Sequence, residues 1–365
     1  MSEVAPGRGH ALVARLDNLG DVLLAGPAVR AVAHGAERVT FVCGPGGRPA
    51  AELLPGVDRI IELEAPWVPL EAAPVRPDAL HAFVDAVAAD RPDQALVLTS
   101  FHQSPLPLAL LLRLAGVPVV AGTSEDHPGS LLDVRRRPEQ DEGRHEVERS
   151  LALAGALGHR LPPDDDGRLR IDVPPTDPGR RPFADGGYVV VHPGASVPAR
   201  GIDPQRARRT VDRLVAAGHR VVVTGGPAEA DLVAHVAGAA RPEVVALAGR
   251  LDLTGLAALL RDAAALVSGN TGPAHLAAAV GTPVVSVFAP VVPVARWRPW
   301  GVPHRILGDQ TIPCAGCRAR ACPFPGQPCL DPVTPEALAA AVDDLTLSPV
   351  QPSPRKDPPC PPPPD

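Results

Sequence analysis

The sequence predicts an α/β chain built from two doubly wound parallel sheets that face each other across a cleft. Three observations carry this expectation: short Val- and Ala-rich runs recur between helical stretches, the pattern lapses once into a Pro-, Asp- and Gly-rich passage, and it then restarts. At 365 residues the chain also exceeds the roughly 250–300 residues that one hydrophobic core serves, so two domains are expected.

In the first half the runs are ALVAR from residue 11, RVTFV from 38, RIIEL from 59, ALVLT from 95 and PVVAG from 118. Continuous apolar runs of this length, alternating with helices, are the mark of parallel strands covered on both faces. Residues 1–160 are thus expected to form an N-terminal Rossmann-like domain. Residues 161–187, with PPDDDG and VPPTDPGRRP, have no periodicity and predict an interdomain linker. A second domain over 188–347 follows from YVVVH at 188, HRVVVTGG at 219, EVVALAG at 243, AALVSGN at 264 and TPVVSVFAP at 282. Helices are predicted at Pro204–Ala217, Ala228–Gly238, Leu253–Ala263 and Pro273–Val280. The proline-rich end, SPVQPSPRKDPPCPPPPD, can sustain neither sheet nor helix, so a disordered tail is expected over 348–365.

Hydrophobic residues make up 45% and charged residues 21%, ordinary globular usage that argues against a disordered chain or a membrane bundle. A formal net charge of -6 and a pI near 6.1 leave no positive field to gather nucleic acid. The short Arg clusters at 135–137 and 206–209 are expected to be solvated surface. No apolar stretch at the N-terminus precedes the polar run RLDN, so a cytoplasmic location is expected rather than export. The segment Leu106–Val120, interrupted by Pro107, Arg113 and Pro118, falls short of the roughly 20 residues a membrane span needs. It predicts a buried helix and strand, with peripheral contact at the inner face of the membrane as the alternative. With aromatic residues at 3%, the cores must be filled by small aliphatic side chains.

Ligands of open α/β sheets bind beyond the carboxyl ends of the strands, so functional residues are sought just after each run. After the first strand, RLDNLGDVLLAGPAVRAV opens a helix with Gly20 and Asp21. Asp21 suits either an N-terminal capping acid or a general base aimed into the cleft. A G-x-G-x-x-G dinucleotide fingerprint is absent, which weakens a dehydrogenase reading. Strand YVVVH ends in His192, Pro193, Gly194, Ala195 and Ser196, followed by Arg200. Small residues there admit a ligand close to the backbone, Ser196 can donate to a phosphate oxygen and Arg200 can clamp one bidentately. Thr224, Gly225 and Gly226 end the next strand, where a ligand site and a tight turn are equally good explanations. In LVSGNTGPAHLAAAVGTPVVSVF, the residues Asn270, Thr271 and Gly272 lead into a helix whose first residue is expected to be Pro273. The free N–H groups and positive dipole of that helix end make a diphosphate seat, to which His275 in the first turn can add a hydrogen bond.

Together and in this order, these segments resemble glycosyltransferase family 9, the ADP-heptose:lipopolysaccharide heptosyltransferase-like proteins. RLDNLGDVLLAGPAVRA resembles the family's opening segment, and HPGASVPAR, TGGPAE and NTGPAHLAAAVGTPVV resemble its later ones, as do FAPVVPVARWRPWG and PCAGCRARACPFPGQPCL. The resemblance implies the GT-B fold and a metal-independent, cofactor-free inverting transfer of a sugar, usually heptose, from a nucleotide diphosphate donor, usually ADP-heptose. The acceptor it implies is a hydroxyl of a glycan or lipid-linked saccharide of the cell envelope or a secondary metabolite. It makes Asp21 the general base, with Ser196, Arg200 and the backbone of Thr271 and Gly272 holding the diphosphate. Asn270 stands where the family commonly has Asp, and Gly201, Ile202 and Asp203 replace its usual basic and Trp-Pro residues, so the departures fall on the donor side. Two other readings share the scaffold: a sugar-nucleotide epimerase, and a non-catalytic nucleotide-binding or redox-sensing protein.

Cys314, Cys317, Cys322 and Cys329 are spaced C-x2-C-x4-C-x6-C. Such a cluster suits zinc or iron–sulfur, although the spacing matches no standard template, and a Cys-rich loop without metal is the alternative.

Overall fold

The computed structural model describes residues 9–69, 74–100, 103–174, 182–183 and 187–347. The proline-rich tail and part of the linker region therefore lie outside the described residues.

In chain order the first half contains β1 (His10–Arg15), α1 (Leu19–Gly35), β2 (Arg38–Cys43), α2 (Arg48–Ala51), β3 (Arg59–Glu62), α3 (Pro77–Asp90), β4 (Gln94–Leu98), α4 (Leu106–Leu114), β5 (Val119–Thr123), β6 (Val134–Arg136) and α5 (Glu146–Ala156). The second contains β7 (Tyr188–His192), α6 (Pro204–Ala216), β8 (Arg220–Gly225), α7 (Ala230–Ala237), β9 (Val244–Ala248), α8 (Leu253–Arg261), β10 (Ala265–Gly269), α9 (Gly272–Ala279), β11 (Val284–Val287), α10 (Val294–Trp297), β12 (His304–Leu307) and α11 (Pro335–Leu347).

Two six-stranded sheets result, ordered β3-β2-β1-β4-β5-β6 and β12-β11-β10-β7-β8-β9, with the pairings inside both parallel. Each runs outward in opposite directions from a central pair, β1 and β4 in one and β7 and β10 in the other. The loops that follow such a pair diverge and leave a crevice, which is where open α/β sheets bind ligands. The uninterrupted apolar strands are buried as parallel strands require: Ala11 to Ala14, Val189 to Val191 and Ala265 to Val267 are each 0% exposed.

Small side chains let the helices sit close to the sheets, and one hydrophobic cluster runs through both halves. It joins Ala11, Val13, Phe41 and Leu96 of the first sheet to Tyr188, Val190, Val222 and Leu266 of the second. α1 lies at this junction, against α5 on one side and α9 on the other. Between α5 and β7 the described residues form no helix or strand, yet they are tied down. Asp165 accepts from Arg30 Nε at 2.6 Å, Gly167 O accepts from the Trp300 indole at 2.9 Å, and Leu169 is buried.

Two edge strands and two helix starts differ from the sequence expectation. The edge strands β6 and β12 carry VRR and HRIL, too short and polar to show an apolar run. α7 begins at Ala230, because a 3-10 turn takes Pro227–Glu229. α9 begins at Gly272, one residue before Pro273, with Thr271 as its extended N-cap. On α4, Leu108, Ala109, Leu111 and Leu112 are buried while Leu110 and Leu114 face out. Among the described residues no helix is long and apolar enough to cross a membrane.

His145 caps α5 and stitches it to the second half. Its Nδ1 accepts from Val147 N at 3.2 Å, its Nε2 lies 2.9 Å from Arg298 O, and Trp300 stacks on the ring at 4.5 Å. Both hydrogen bonds are satisfied only by the neutral ring carrying its proton on Nε2. Burial, against the Arg298 carbonyl and with neighbouring cations, lowers the His145 pKa to about 3. Between its ordinary value and about 3 the unfolded chain binds the extra proton, so stability falls as pH falls through that window. His145→Gln should cost stability at pH 7, and the melting-temperature gap to the wild type should narrow at pH 5; a constant gap would contradict the assignment.

Candidate functional site

Loops from both halves meet around a cavity of about 510 Å³. The first half contributes Asp17, Asn18 and Asp21 after β1, Gly44 to Gly46 after β2, Glu64 after β3, and Ser100 and Gln103 after β4. The second contributes Val197 and Arg200 after β7, Val292 and Trp297 near α10, and Arg320. Asp21 and Arg200 thus line one cavity although 179 positions separate them by their residue numbers.

Under the first-half wall lies Arg15, the last residue of β1 and 2% exposed. Its Nε is 2.6 Å from Asp17 Oδ2, its Nη2 donates to Asp21 Oδ1 at 2.9 Å and Ser100 Oγ at 3.0 Å, and its Nη1 lies 3.4 Å from Glu146 Oε2. Burial alone would lower its pKa, but Asp17, Asp21 and Glu146 together raise it above the ordinary arginine value. One guanidinium does not neutralise three carboxylates. Glu146 has further cations, with Arg296 Nε donating to it at 2.7 Å and Arg149 Nε 3.5 Å away. Asp17 is held up to about 6, by burial first and the Asp21 charge next, against the pull of Arg15, Gln103 and Ser100.

Asp21 is the third residue of α1, yet its carboxylate turns to Arg15 and, across the cleft, to the Trp297 indole at 3.3 Å. Asn18 occupies the N-cap position without a side-chain cap bond. The Asp21 carboxylate is thus directed at the cleft, and it is 23% exposed there.

The N-termini of α1 and α9 abut. A Cβ on Gly20 would stand 2.9 Å from His275 Cδ2 and 3.4 Å from Gly272 Cα, and one on Gly272 would stand 2.8 Å from Leu19 Cδ2. Glycine at both positions leaves room for two positive helix ends to approach one another. Beside them, Asn270 Nδ2, Thr271 Oγ1, His275 Nδ1 and Arg200 Nε are buried polar atoms with no hydrogen-bond partner. Buried polar groups are nearly always paired, so four unpaired ones here mark the place as a candidate site. Burial lowers the His275 pKa to about 4, opposed by Asp21 and reinforced by Arg200, so the ring is neutral at pH 7. Burial also lowers the Arg200 pKa, against Asp21.

The remaining residues singled out from sequence divide. His192 Nδ1 pairs with Thr224 Oγ1 at 3.0 Å, joining the ends of β7 and β8. Gly194, Gly225 and Gly226 surround Glu229, whose Oε2 accepts from Gly226 N at 2.7 Å. Sequence reasoning quoted TGGPAE without singling out Glu229; the acid three residues beyond Gly226 was the available signal. Burial lowers the His192 pKa, with Glu229 opposing. Ser196 is exposed and is not among the residues lining the cavity. Glu146, Arg296 and Trp297 were also missed, because nothing local marks them.

Among the described residues no three His, Cys, Asp or Glu side chains stand close enough to hold a metal ion. Cys314, Cys317, Cys322 and Cys329 are free thiols. Their loop braces the cleft: Arg320 O accepts from Ala199 N at 2.8 Å and Gln327 Nε2 donates to Ala199 O at 2.6 Å, next to Arg200.

Two Rossmann-like sheets with a cleft at their switch points define a GT-B protein. The profile of glycosyltransferase family 9 (heptosyltransferase) matches residues 81–327, and the chain belongs to that family. It is 30% identical over 268 residues, 68% of this chain and 73% of the other, to lipopolysaccharide heptosyltransferase 1 of Pseudomonas aeruginosa. It is 39% identical over 116 residues to lipopolysaccharide heptosyltransferase 3 of Escherichia coli, a stretch covering 31% of this chain and only 34% of that relative. The solved E. coli ADP-heptose lipopolysaccharide heptosyltransferase II has the same fold, with a TM-score of 0.70 at 20% identity over 93% of this chain and 98% of that one.

Gly269, at the end of β10, touches the Arg200 loop and carries no charged group itself. A Cβ there would fall 1.8 Å from Arg200 O, so Gly269→Ala must displace the Arg200 backbone. It should weaken ADP binding, read by calorimetry, by about tenfold or more, the size expected when a clamp slips by ångströms. Unchanged affinity would mean that the Arg200 loop is not part of the donor site.

Proposed function

We propose that the protein is an inverting glycosyltransferase that moves a sugar, heptose foremost, from an ADP-linked donor to a saccharide hydroxyl. The observation that carries this reading is the convergence of four unpartnered buried polar atoms on Asn270, Thr271, His275 and Arg200 at the abutting N-termini of α1 and α9, facing a carboxylate anchored on the opposite wall. Family membership and the name of the ADP-heptose-using relative of like fold support the donor.

In this reading the diphosphate sits on the α9 N-terminus. Arg200, the neutral His275 and Thr271 donate to its oxygens, and Asn270 serves as a neutral donor where an acid is usual in the family. Glu229, at the end of β8 beside Gly194, takes the ribose hydroxyls, the role acids play at that place in nucleotide-binding sheets. Asp21 accepts the proton of the acceptor hydroxyl as its oxygen bonds to the anomeric carbon. The carbon–oxygen bond to phosphate breaks on the far side, and its electron pair leaves with ADP. Arg15 and Trp297 hold Asp21 in line, and the preorganised donors stabilise the charge growing on the diphosphate.

Asp21→Asn keeps shape but cannot take a proton. Turnover of ADP-heptose, read as ADP release with acceptor, should fall by about 10²–10⁴-fold with ADP affinity retained. Full activity of this variant would remove Asp21 from the chemistry. Arg200→Ala should weaken ADP binding, with Arg200→Lys intermediate, because lysine keeps the charge and loses the planar fork. Arg200 and the two helix ends supply positive charge at the diphosphate, so transfer is expected to survive excess chelator; loss of activity restored by magnesium would contradict this.

A further inference from the structure

Two carboxylates, Asp17 before α1 and Asp21 within it, share the Arg15 guanidinium, and the transfer chemistry proposed above uses only Asp21. Asp17 lines the large cavity, and its side chain is 9% exposed. Its Oδ1 accepts from Gln103 Nε2 at 2.6 Å and from Ser100 Oγ at 3.2 Å. Its Oδ2 faces Arg15 Nε at 2.6 Å without the alignment of a hydrogen bond. Arg15 Nη2 donates to Asp21 Oδ1 at 2.9 Å and to Ser100 Oγ at 3.0 Å. Asp17 and Asp21 therefore draw on one cation through different nitrogens of the same planar group.

Glu146 is the third claimant, with Oε2 3.4 Å from Arg15 Nη1, but it has Arg296 and Arg149 besides. From the second half the Trp297 indole reaches Asp21 at 3.3 Å, and the Asp21 charge acts on Arg200 and His275. Glu64 and Arg320 line the same cavity. Among the described residues Asp17 meets one cation, Arg15, and its other two partners are neutral. Burial first and the Asp21 charge next hold its carboxyl up at about 6. Burial lowers His275 to about 4 and His145 to about 3, so neither ring titrates near pH 6. Phe101 and His102, which precede Gln103, lie outside the described residues.

We propose that Asp17 is a positioning residue for the general base. While ionised it competes with Asp21 for the Arg15 guanidinium and leaves Asp21 a strong base; when it takes a proton from water it releases that cation to Asp21 and slows transfer. A cation drawn toward a carboxylate stabilises the ionised form and weakens it as a proton acceptor, and a second carboxylate on the same cation does the reverse. Turnover therefore rises with pH as Asp17 ionises. This rests on the glycosyltransferase reading and deepens it with a residue that tunes the proposed base.

The test compares the full chain of wild type, Asp17→Asn, Gln103→Met and His102→Gln. ADP release from ADP-heptose is read across pH, with water or methyl mannoside as the attacking hydroxyl, as kcat/KM, which reports groups of the free protein. The wild-type value should rise through about pH 6. A neighbouring charge changes a carboxylate's proton affinity by roughly ten- to a thousandfold, of which a general base expresses part in the rate. Asp17→Asn should thus be about tenfold slower at pH 7, with the gap closing toward pH 5, where the wild type also carries an uncharged Asp17. Gln103→Met removes a donor to the ionised form, so the rise should move up by about one pH unit. The carboxyl carbon-13 signal that is lost in Asp17→Asn should titrate with the rise and move with it in Gln103→Met. His102→Gln should keep the rise.

A pH profile of Asp17→Asn parallel to that of the wild type would make Asp17 structural only and overturn the proposal. So would a rise that disappears in His102→Gln and persists in Asp17→Asn. If Asp17→Asn does not fold, Gln103→Met decides, and an unmoved rise counts against Asp17. Full activity of Asp21→Asn, or no ADP release by the wild type, would instead sink the reading on which this rests, and the proposal with it.

Discussion

Arg15 leaves the end of the first strand with its side chain buried, and three carboxylates from three parts of the chain close on it. Asp17 follows the strand, Asp21 belongs to the first helix, and Glu146 begins α5. Removing one member of a buried ion pair typically costs about 3–5 kcal/mol, because the partner is left charged without water. The rest of the site depends on this arrangement. It points Asp21 at the cavity, leaves Asp17 raised in pKa, and through Glu146 binds Arg296, whose neighbour Trp297 reaches back to Asp21.

That circuit crosses between the halves. Glu146 and His145 both start α5, and both reach the segment 296–300 of the second half, one by charge and one by a cap and a stacked ring. With α1 packed against α9, the two sheets are joined by packing as well as by polar contacts. The two sheets also share part of one hydrophobic cluster. Stability and site geometry are coupled as a result, since groups that hold the halves together also orient the candidate base.

In the proposed function the abutting helix ends seat a diphosphate with little help from side chains. The positive potential comes from backbone N–H groups, and glycines at 20 and 272 serve to remove bulk. Asn270 in place of an acid leaves that potential less opposed. On the first-half wall the sign is the reverse, with the carboxylates of Asp17, Asp21 and Glu64 lining the cavity.

Much of this was legible in the sequence, and the reason is local. Buried parallel strands must be continuously apolar, so ten of the twelve were marked by runs such as YVVVH and ALVAR, while VRR at β6 and HRIL at β12, on sheet edges, carried no such mark. The candidates that follow a strand's carboxyl end could be singled out for the same reason: Asp21, Arg200 and Asn270 to His275 each follow a strand at short range. What only the tertiary structure decided are pairings that no local rule encodes. Glu146 meets Arg15 at a separation of 131 residues, and Trp297 meets Asp21 at 276. A single arginine, glutamate or tryptophan looks the same in sequence whether it faces solvent or a buried partner, and only the packing of α1, α5 and α10 against one another determines which it is.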